Sequence, residues 1–413
     1  MNEFENINES GRDKKRRLRG QERNSLRKAF LAGVVSALCV VAALFVLLNY
    51  VWPAGSTSKP GSPLSAQKIR TMEDLIDQVY AGDKDEEKLA DSMYKGMISG
   101  LGDRYSTYYT ASEYEAIKTA QDGYYEGIGV TVSMEDDQLI VEEVQKDTPA
   151  WNAGILAGDR IVKIDGNELT GKTLSEAVAL LKENGKDTVQ LTIRRCGEGE
   201  VLDEVLETEV KKEKLETTCV AGKMLEASIG YLAISEFTSL TSQQFEEVYG
   251  SLNEQGMERL IIDLRGNPGG LVSSVCDTLR QILPEGLIVY TEDKNGKREE
   301  YRCDGATPIQ IPLVVLVNEN TASAAEIFTG AVKDYGIGTI VGTVTYGKGV
   351  VQNTYKLPDG SVVKLTIAHY YTPLGNDIHG VGITPDVEVE LPEDATSDVQ
   401  LEKAIETVST LSF

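Results

Sequence analysis

The chain has 413 residues, room for two or three domains with sizeable cores. An apolar share of 41% excludes global disorder. A net charge of -24 excludes nucleic acid as a partner, because phosphate binding needs a basic face.

The first segment runs against that acidic balance. Arg12, Lys14, Lys15, Arg16, Arg17, Arg19, Arg23, Arg27 and Lys28 face only Asp13 and Glu22 in the stretch 12–28. The run from Ala29 to Val51 that follows carries no charge. A helix of that length spans roughly 30 Å, the hydrocarbon thickness of a bilayer. We therefore expect a cytoplasmic basic tail over 1–28 and one transmembrane helix over 29–51, with everything after Trp52 extracytoplasmic. A cleaved signal peptide is the competing reading, but the apolar run is long for one and no small-x-small site follows. Residues 52–65, rich in Pro, Gly and Ser, read as a linker.

Leu75, Ile76, Val79, Tyr80, Leu89, Met93 and Met97 recur at helical spacing, and Gly100 and Gly102 end the pattern. This predicts an N-terminal helical region within 66–110. A β-rich module follows over 112–196. Its short strands are expected at 128–132, 139–144, 160–164 and 189–194, around one amphipathic helix from Leu174 to Glu183. Turns are expected at Asp136-Asp137 and Asp165-Gly166. The acidic, alternating stretch 198–216 reads as a hairpin. From Ile229 onward strands and helices alternate, the signature of a layered α/β core over 197–395. A last amphipathic helix lies within 396–413.

Two motifs look like chemistry and are not read as such. Gly166 to Thr173, G-N-E-L-T-G-K-T, satisfies the Walker A pattern. Glu168 would put a carboxylate into a loop meant to cradle phosphates, and Asp165-Gly166 is a natural hairpin turn, so no nucleotide is expected. Ser65 to Lys68 matches S-x-x-K, but no K-T-G follows. Of the five cysteines, Cys39 falls in the expected span; Cys196, Cys219, Cys276 and Cys303 fall outside it, where disulfides are permitted. A domain this large needs none, and free buried thiols are the expectation.

The two histidines, His369 and His379, sit in a stretch read as loop-rich, in no motif that announces a Ser-His-Asp machine. Without H-E-x-x-H or C-x-x-C no metal site is expected. A hydrolase built on this chain needs another base. In the segment 311–335, a buried strand runs into a helix with T-A-S-A-A at the joint. Ser323 there has only small neighbours and stands at a helix start, where free N–H groups favour developing negative charge. Ser323 and Glu326 also fit a plain capping box. Lys348 lies between two glycines in Y-G-K-G-V-V-Q. To act as a base near neutral pH it must lose its proton roughly three pH units below the ordinary value of about 10.4, which burial away from water can achieve.

D-L-R-G-N-P-G-G-L-V (263–272), N-E-N-T-A-S-A-A-E-I (318–327) and Y-G-K-G-V-V-Q (346–352), in that order behind a β-rich module, resemble the carboxy-terminal processing peptidases, the tail-specific proteases of family S41. The resemblance implies Ser323 as nucleophile, Lys348 as general base and Gln352 as the residue that orients the lysine. It implies the backbone N–H groups of Gly269 and Ala324 as the oxyanion hole. If 348–352 were a straight strand, Lys348 and Gln352 would share a face about 13 Å apart, so their contact needs bent backbone or converging side chains. E-G-I-G-V (126–130) with A-G-D-R-I-V-K-I-D-G (157–166) resembles a PDZ domain. Such a domain holds a terminal carboxylate on loop N–H groups, here those of Gly127, Ile128 and Gly129, and adds the peptide to a sheet edge beside the helix from Leu174.

The expected fold is thus α/β: a layered S41 peptidase core with an inserted PDZ domain, an N-terminal helical unit and one transmembrane helix. The expected function is that of a membrane-anchored serine endopeptidase acting on the C-terminal tails of extracytoplasmic proteins, without cofactor, metal or nucleotide. The resemblance also implies gating by the PDZ domain and a homodimer supported by terminal helices. The alternative is a PDZ-bearing adaptor with an inert core.

Overall fold

The structure, a computed structural model, describes residues 66–135, 138–182, 186–195, 204–392 and 395–411. The expected basic tail, transmembrane helix and linker lie outside the described residues, as do Cys39, Cys196, Glu183 and the Asp136-Asp137 turn. Among the described residues, no helix is long and apolar enough to cross a membrane. The described residues up to Asp85 belong to one unit and those from Glu86 onward to a second.

In the first unit, helix α1 (Ala66–Val79) has no buried residue, and Met72, Leu75 and Val79 are exposed along it. The second unit begins with α2 (Glu86–Ser99), β1 (Thr107–Tyr109) and α3 (Ala111–Gln121). Thr110 and Glu113 cap α3 reciprocally.

The β-rich module then unfolds in order: β2 (Tyr124–Gly127), β3 (Val130–Glu135), β4 (Gln138–Val144), α4 (Pro149–Asn152), β5 (Arg160–Ile164), β6 (Asn167–Glu168), α5 (Leu174–Leu181), β7 (Thr188–Arg195), β8 (Glu204–Lys211) and β9 (Glu213–Glu216). Its main sheet runs β3-β4-β5-β7-β8, with β6 paired to β5. Alternation along β7 buries Val189, Leu191 and Ile193 against Ala177 and Leu181 of α5. The stretch 198–216 was expected as a hairpin of its own. Instead β8 continues the sheet beside β7, and β9 pairs with β2. The alternation was read correctly, but its partners lie outside the segment.

The Walker-like segment is explained in the same module. Asp165 and Gly166 both adopt positive φ, 50° and 76°, and turn β5 into β6. Thr173 and Glu176 form the capping box of α5.

The core contributes β10 (Val220–Met224), β11 (Ile229–Ile234), α6 (Thr241–Glu254), β12 (Arg259–Asp263), α7 (Val272–Leu279), β13 (Gly286–Asp293), β14 (Arg298–Cys303), β15 (Leu313–Val317), α8 (Ala324–Tyr335), β16 (Thr339–Gly342), β17 (Val350–Lys356), β18 (Val362–Tyr371), β19 (Val387–Glu388) and α9 (Val399–Thr410). Sheet β10-β11-β12-β15-β16-β19 is parallel except at the β10 edge. Both its faces are covered, which is why β15 reads as five consecutive apolar residues, all buried. Leu313, Val315 and Val317 face the large core shared with α6, α7 and α8. Val314 and Leu316 face Ala404 and Val408 of α9. A second, antiparallel sheet runs β1-β18-β13-β14, with β17 also on β18. His369 lies on β18 rather than in a loop. Cys219, Cys276 and Cys303 are free buried thiols, as expected.

Candidate active site

Three chain segments meet at the C-terminal ends of the parallel strands. The first leaves β12 through D-L-R-G-N-P-G-G. Asn267 is fully buried; its Nδ2 donates to Ile234 O (2.8 Å) and its main-chain carbonyl accepts Ala322 N–H (2.9 Å). Gly269 has φ of 103°, and a Cβ there would stand 2.6 Å from Ser323 Cβ and 2.8 Å from Ala324 N. Only glycine lets these two backbones approach.

The second segment carries Ser323 from the end of β15 into α8. Its φ of 57° and ψ of -117° are not those of an ordinary capping residue, which is extended. A non-glycine residue in such a conformation costs of order 1–3 kcal/mol and persists only where surrounding bonds over-determine it. Glu326 supplies one such bond, accepting Ser323 N–H at 2.8 Å. The capping-box alternative thus describes part of Glu326's role. This carboxylate is fully buried and also accepts the Thr345 hydroxyl (2.6 Å), Gly347 N–H (2.7 Å) and Lys348 N–H (2.8 Å).

The third segment, 343–349, has no regular structure and carries Lys348. Ser323 and Lys348 donate their N–H groups to the same Glu326 oxygen, Oε2. Their backbone nitrogens therefore lie within two hydrogen-bond lengths of each other. The Lys348 ammonium is half-buried, over the Tyr105 ring with Nζ 5.1 Å from its centroid. Burial pushes its pKa down; the cations Lys364 and Arg104 add to this, and Glu326 opposes them. Arg104 is held against Tyr105 and Tyr346, its guanidinium carbon 4.9 and 5.2 Å from their ring centroids.

Among the described residues no hydrogen bond joins Ser323 Oγ to Lys348 Nζ, which lies over Tyr105 instead, and two further expected contacts are not made. Gln352 Nε2 donates weakly to Thr366 Oγ1 (3.3 Å) and Val350 O (3.4 Å), and its side chain has no hydrogen bond to Lys348 among the described residues. The pairing of β17 with β18 slips at Val351/Gln352, a bulge that bends the strand where straight geometry would hold the two side chains apart. Gly269 N–H is donated to Asn267 Oδ1 at 2.8 Å, the self-bond typical of an asparagine turn. An oxyanion reaches that N–H only when Asn267 shares or releases it. Ala324 N–H, at the first turn of α8, has no acceptor among the described residues.

Sequence reasoning missed Tyr105, Tyr370 and the ring pair His369–His379, whose centroids lie 5.3 Å apart near Tyr105. Tyr370 is buried, and its hydroxyl lies 2.9 Å from Ser323 O and 2.5 Å from Lys348 O. β18 offered no signal for Tyr370: its alternating Val363, Leu365 and Ile367 lie on the other face, and Tyr370 shares its face with Lys364 and Thr366.

In the β-rich module, Gly127, Ile128 and Gly129 lead into β3. Ile128 O accepts Ala150 N–H (2.8 Å) and Gly129 O accepts Gln145 N–H (3.0 Å). The N–H groups of Ile128 and Gly129 have no acceptor among the described residues. A Cβ on Gly129 would fall 2.4 Å from the Thr148 side chain. Among the described residues β3 pairs only with β4, which leaves its other edge for an added strand.

Comparison with known proteins follows the same division. A family model described as peptidase family S41 matches residues 228–389, and one described as a PDZ domain matches 140–195. The carboxy-terminal processing protease CtpA of Bacillus subtilis is 32% identical over 367 residues, covering 89% of this chain and 78% of its own. CtpB of the same organism is 33% identical over 345 residues, covering 83% and 71%. A solved S41 protease from Bacteroides fragilis, 18% identical, shares the fold with a TM-score of 0.53 over 83% of this chain and 98% of that one.

Proposed function

The chain belongs to the carboxy-terminal processing proteases of peptidase family S41, which are serine peptidases, and on that premise we propose that it cuts C-terminal tails of proteins with Ser323 and Lys348. The tail's carboxylate is taken by the N–H groups of the loop Gly127–Gly129, and its backbone extends the open edge of β3. Ser323 Oγ attacks the scissile carbonyl while Lys348, neutral, takes the hydroxyl proton. The lysine returns that proton to the leaving amine, and water clears the acyl-enzyme by the reverse route. The oxyanion is met by Ala324 N–H and by Gly269 N–H once Asn267 yields it. Gln352 orients the lysine in this reading.

One observation carries the proposal: a single buried carboxylate oxygen holds the backbones of Ser323 and Lys348 together, with the ammonium kept partly dry. Membrane anchoring through 29–51, an extracytoplasmic catalytic region, the domain limits given above and dimerisation belong to the same proposal, supported by the charge and hydropathy pattern and the family resemblance. Ser323→Ala and Lys348→Ala should each abolish tail cleavage, a loss of at least about a thousandfold, while capture of a tail peptide is retained. Normal cleavage by either variant would remove that residue from the mechanism.

A further inference from the structure

The segment that carries Lys348 is irregular, yet a reacting amine must be held to within a fraction of an ångström. Both polar groups of the Lys348 backbone are held by buried side chains from other elements. Its N–H goes to Glu326, on α8. Its carbonyl accepts the Tyr370 hydroxyl at 2.5 Å and has no other donor among the described residues.

The same hydroxyl lies 2.9 Å from Ser323 O. A phenol has one proton, and the two acceptors are unequal. Ser323 O already accepts the N–H groups of Glu326 (2.8 Å) and Ile327 (3.0 Å). The proton is therefore worth more to the Lys348 carbonyl, which would otherwise be left without a donor.

Tyr370 suits this task. It lies near the end of β18, its N–H continues the ladder to Gly349 O at 3.0 Å, and its ring is 1% exposed within the main core. Burial and the nearby Glu326 carboxylate hold the phenol pKa well above its ordinary value, so the group is a donor at any pH the enzyme meets.

We propose that Tyr370 is a positioning residue of the reaction: its hydroxyl pins the Lys348 carbonyl to the start of α8 and so fixes the backbone from which the lysine amine must reach Ser323. The proposal rests on the reading of Ser323 and Lys348 as the reacting pair. It adds a residue that touches neither substrate nor the transferred proton.

Tyr370→Phe keeps the ring in the core and removes only the donor. Tyr335→Phe is the matched control, since the Tyr335 hydroxyl also donates to a main-chain carbonyl, Leu287 O at 3.0 Å, away from Lys348. Both are assayed on a tail peptide at a temperature where circular dichroism shows each folded. Tyr370→Phe should lower kcat about tenfold or more with KM unchanged, and the acid limb of its rate profile should move toward higher pH as the freed lysine gains water. Tyr335→Phe should leave kcat and the profile alone. In a Lys348→Ala background, Tyr370→Phe should add nothing.

Wild-type kcat and pH profile in folded Tyr370→Phe would overturn the proposal, as would an equal loss in Tyr335→Phe or full additivity with Lys348→Ala. Those results leave the reacting pair standing. Full activity of Ser323→Ala or Lys348→Ala would instead sink the pair itself. If Tyr370→Phe does not fold, the hydroxyl is a general structural bond and the positioning role falls.

Discussion

Ser323 and Lys348, the proposed reacting pair, were singled out by their small neighbours and given their roles by the family resemblance. Glycines and alanines around a lone serine and a lone lysine mark places where backbone or substrate must come close. What the sequence could not display is the strain at Ser323 or the company Lys348 keeps. Tyr105 and Arg104 precede β1, and Lys364 lies on β18, far from Lys348 along the chain. Burial and these cations penalise the ammonium form. The base form is therefore gained as pH rises through the lowered pKa, and the rate rises with it. Lys364→Gln removes one repulsion, so the midpoint should move up toward the ordinary lysine value. A neighbouring charge worth roughly 1 kcal/mol shifts it by about 0.7 pH unit and slows cleavage at neutral pH about fivefold. An unmoved acid limb in a kcat/KM profile would show that Lys364 does not act on the base.

At the scale of elements, the buried parallel strands were the easiest to place. β11, β12 and β15 read as near-continuous apolar runs because helices cover both faces. The antiparallel sheet of β13, β14, β17 and β18 was missed, because its strands are half polar and pair over long separations. Gln352 and Tyr370 both belong to that sheet, which is why the resemblance named one and neither could be placed. The closing helix α9 was read from its spacing, but what holds it was not. Arg265, in the turn after β12, bridges Asp263 (2.7 Å) and Asp398 (2.8 Å) at the start of α9, with its side chain 14% exposed. Removing one member of such a network strands the other charges. Arg265→Ala should cost about 3 kcal/mol in urea-induced unfolding; a change below about 1 kcal/mol would show that apolar packing alone retains α9.

In the unit from Glu86 onward, the β-rich module is an insertion whose two connections are the paired strands β2 and β9. Main-chain bonds continue from that neck toward the candidate site. Ser239 N–H donates to Gln121 O (2.9 Å), Phe237 N–H to Gly269 O (2.8 Å) and Leu271 N–H to Phe237 O (2.7 Å). The module was legible from glycines and short strands; the neck was not, because both of its strands sit in segments whose patterns suggest other partners. The central claim concerns one amine and one hydroxyl, and the pH dependence of fluorophosphonate labelling at Ser323 tests it without any substrate. The wild-type protein should label at a rate that climbs with pH to a midpoint below the ordinary lysine value, and Lys348→Ala should label at least about a hundredfold more slowly. Equal labelling of the two proteins across the pH range would contradict the account.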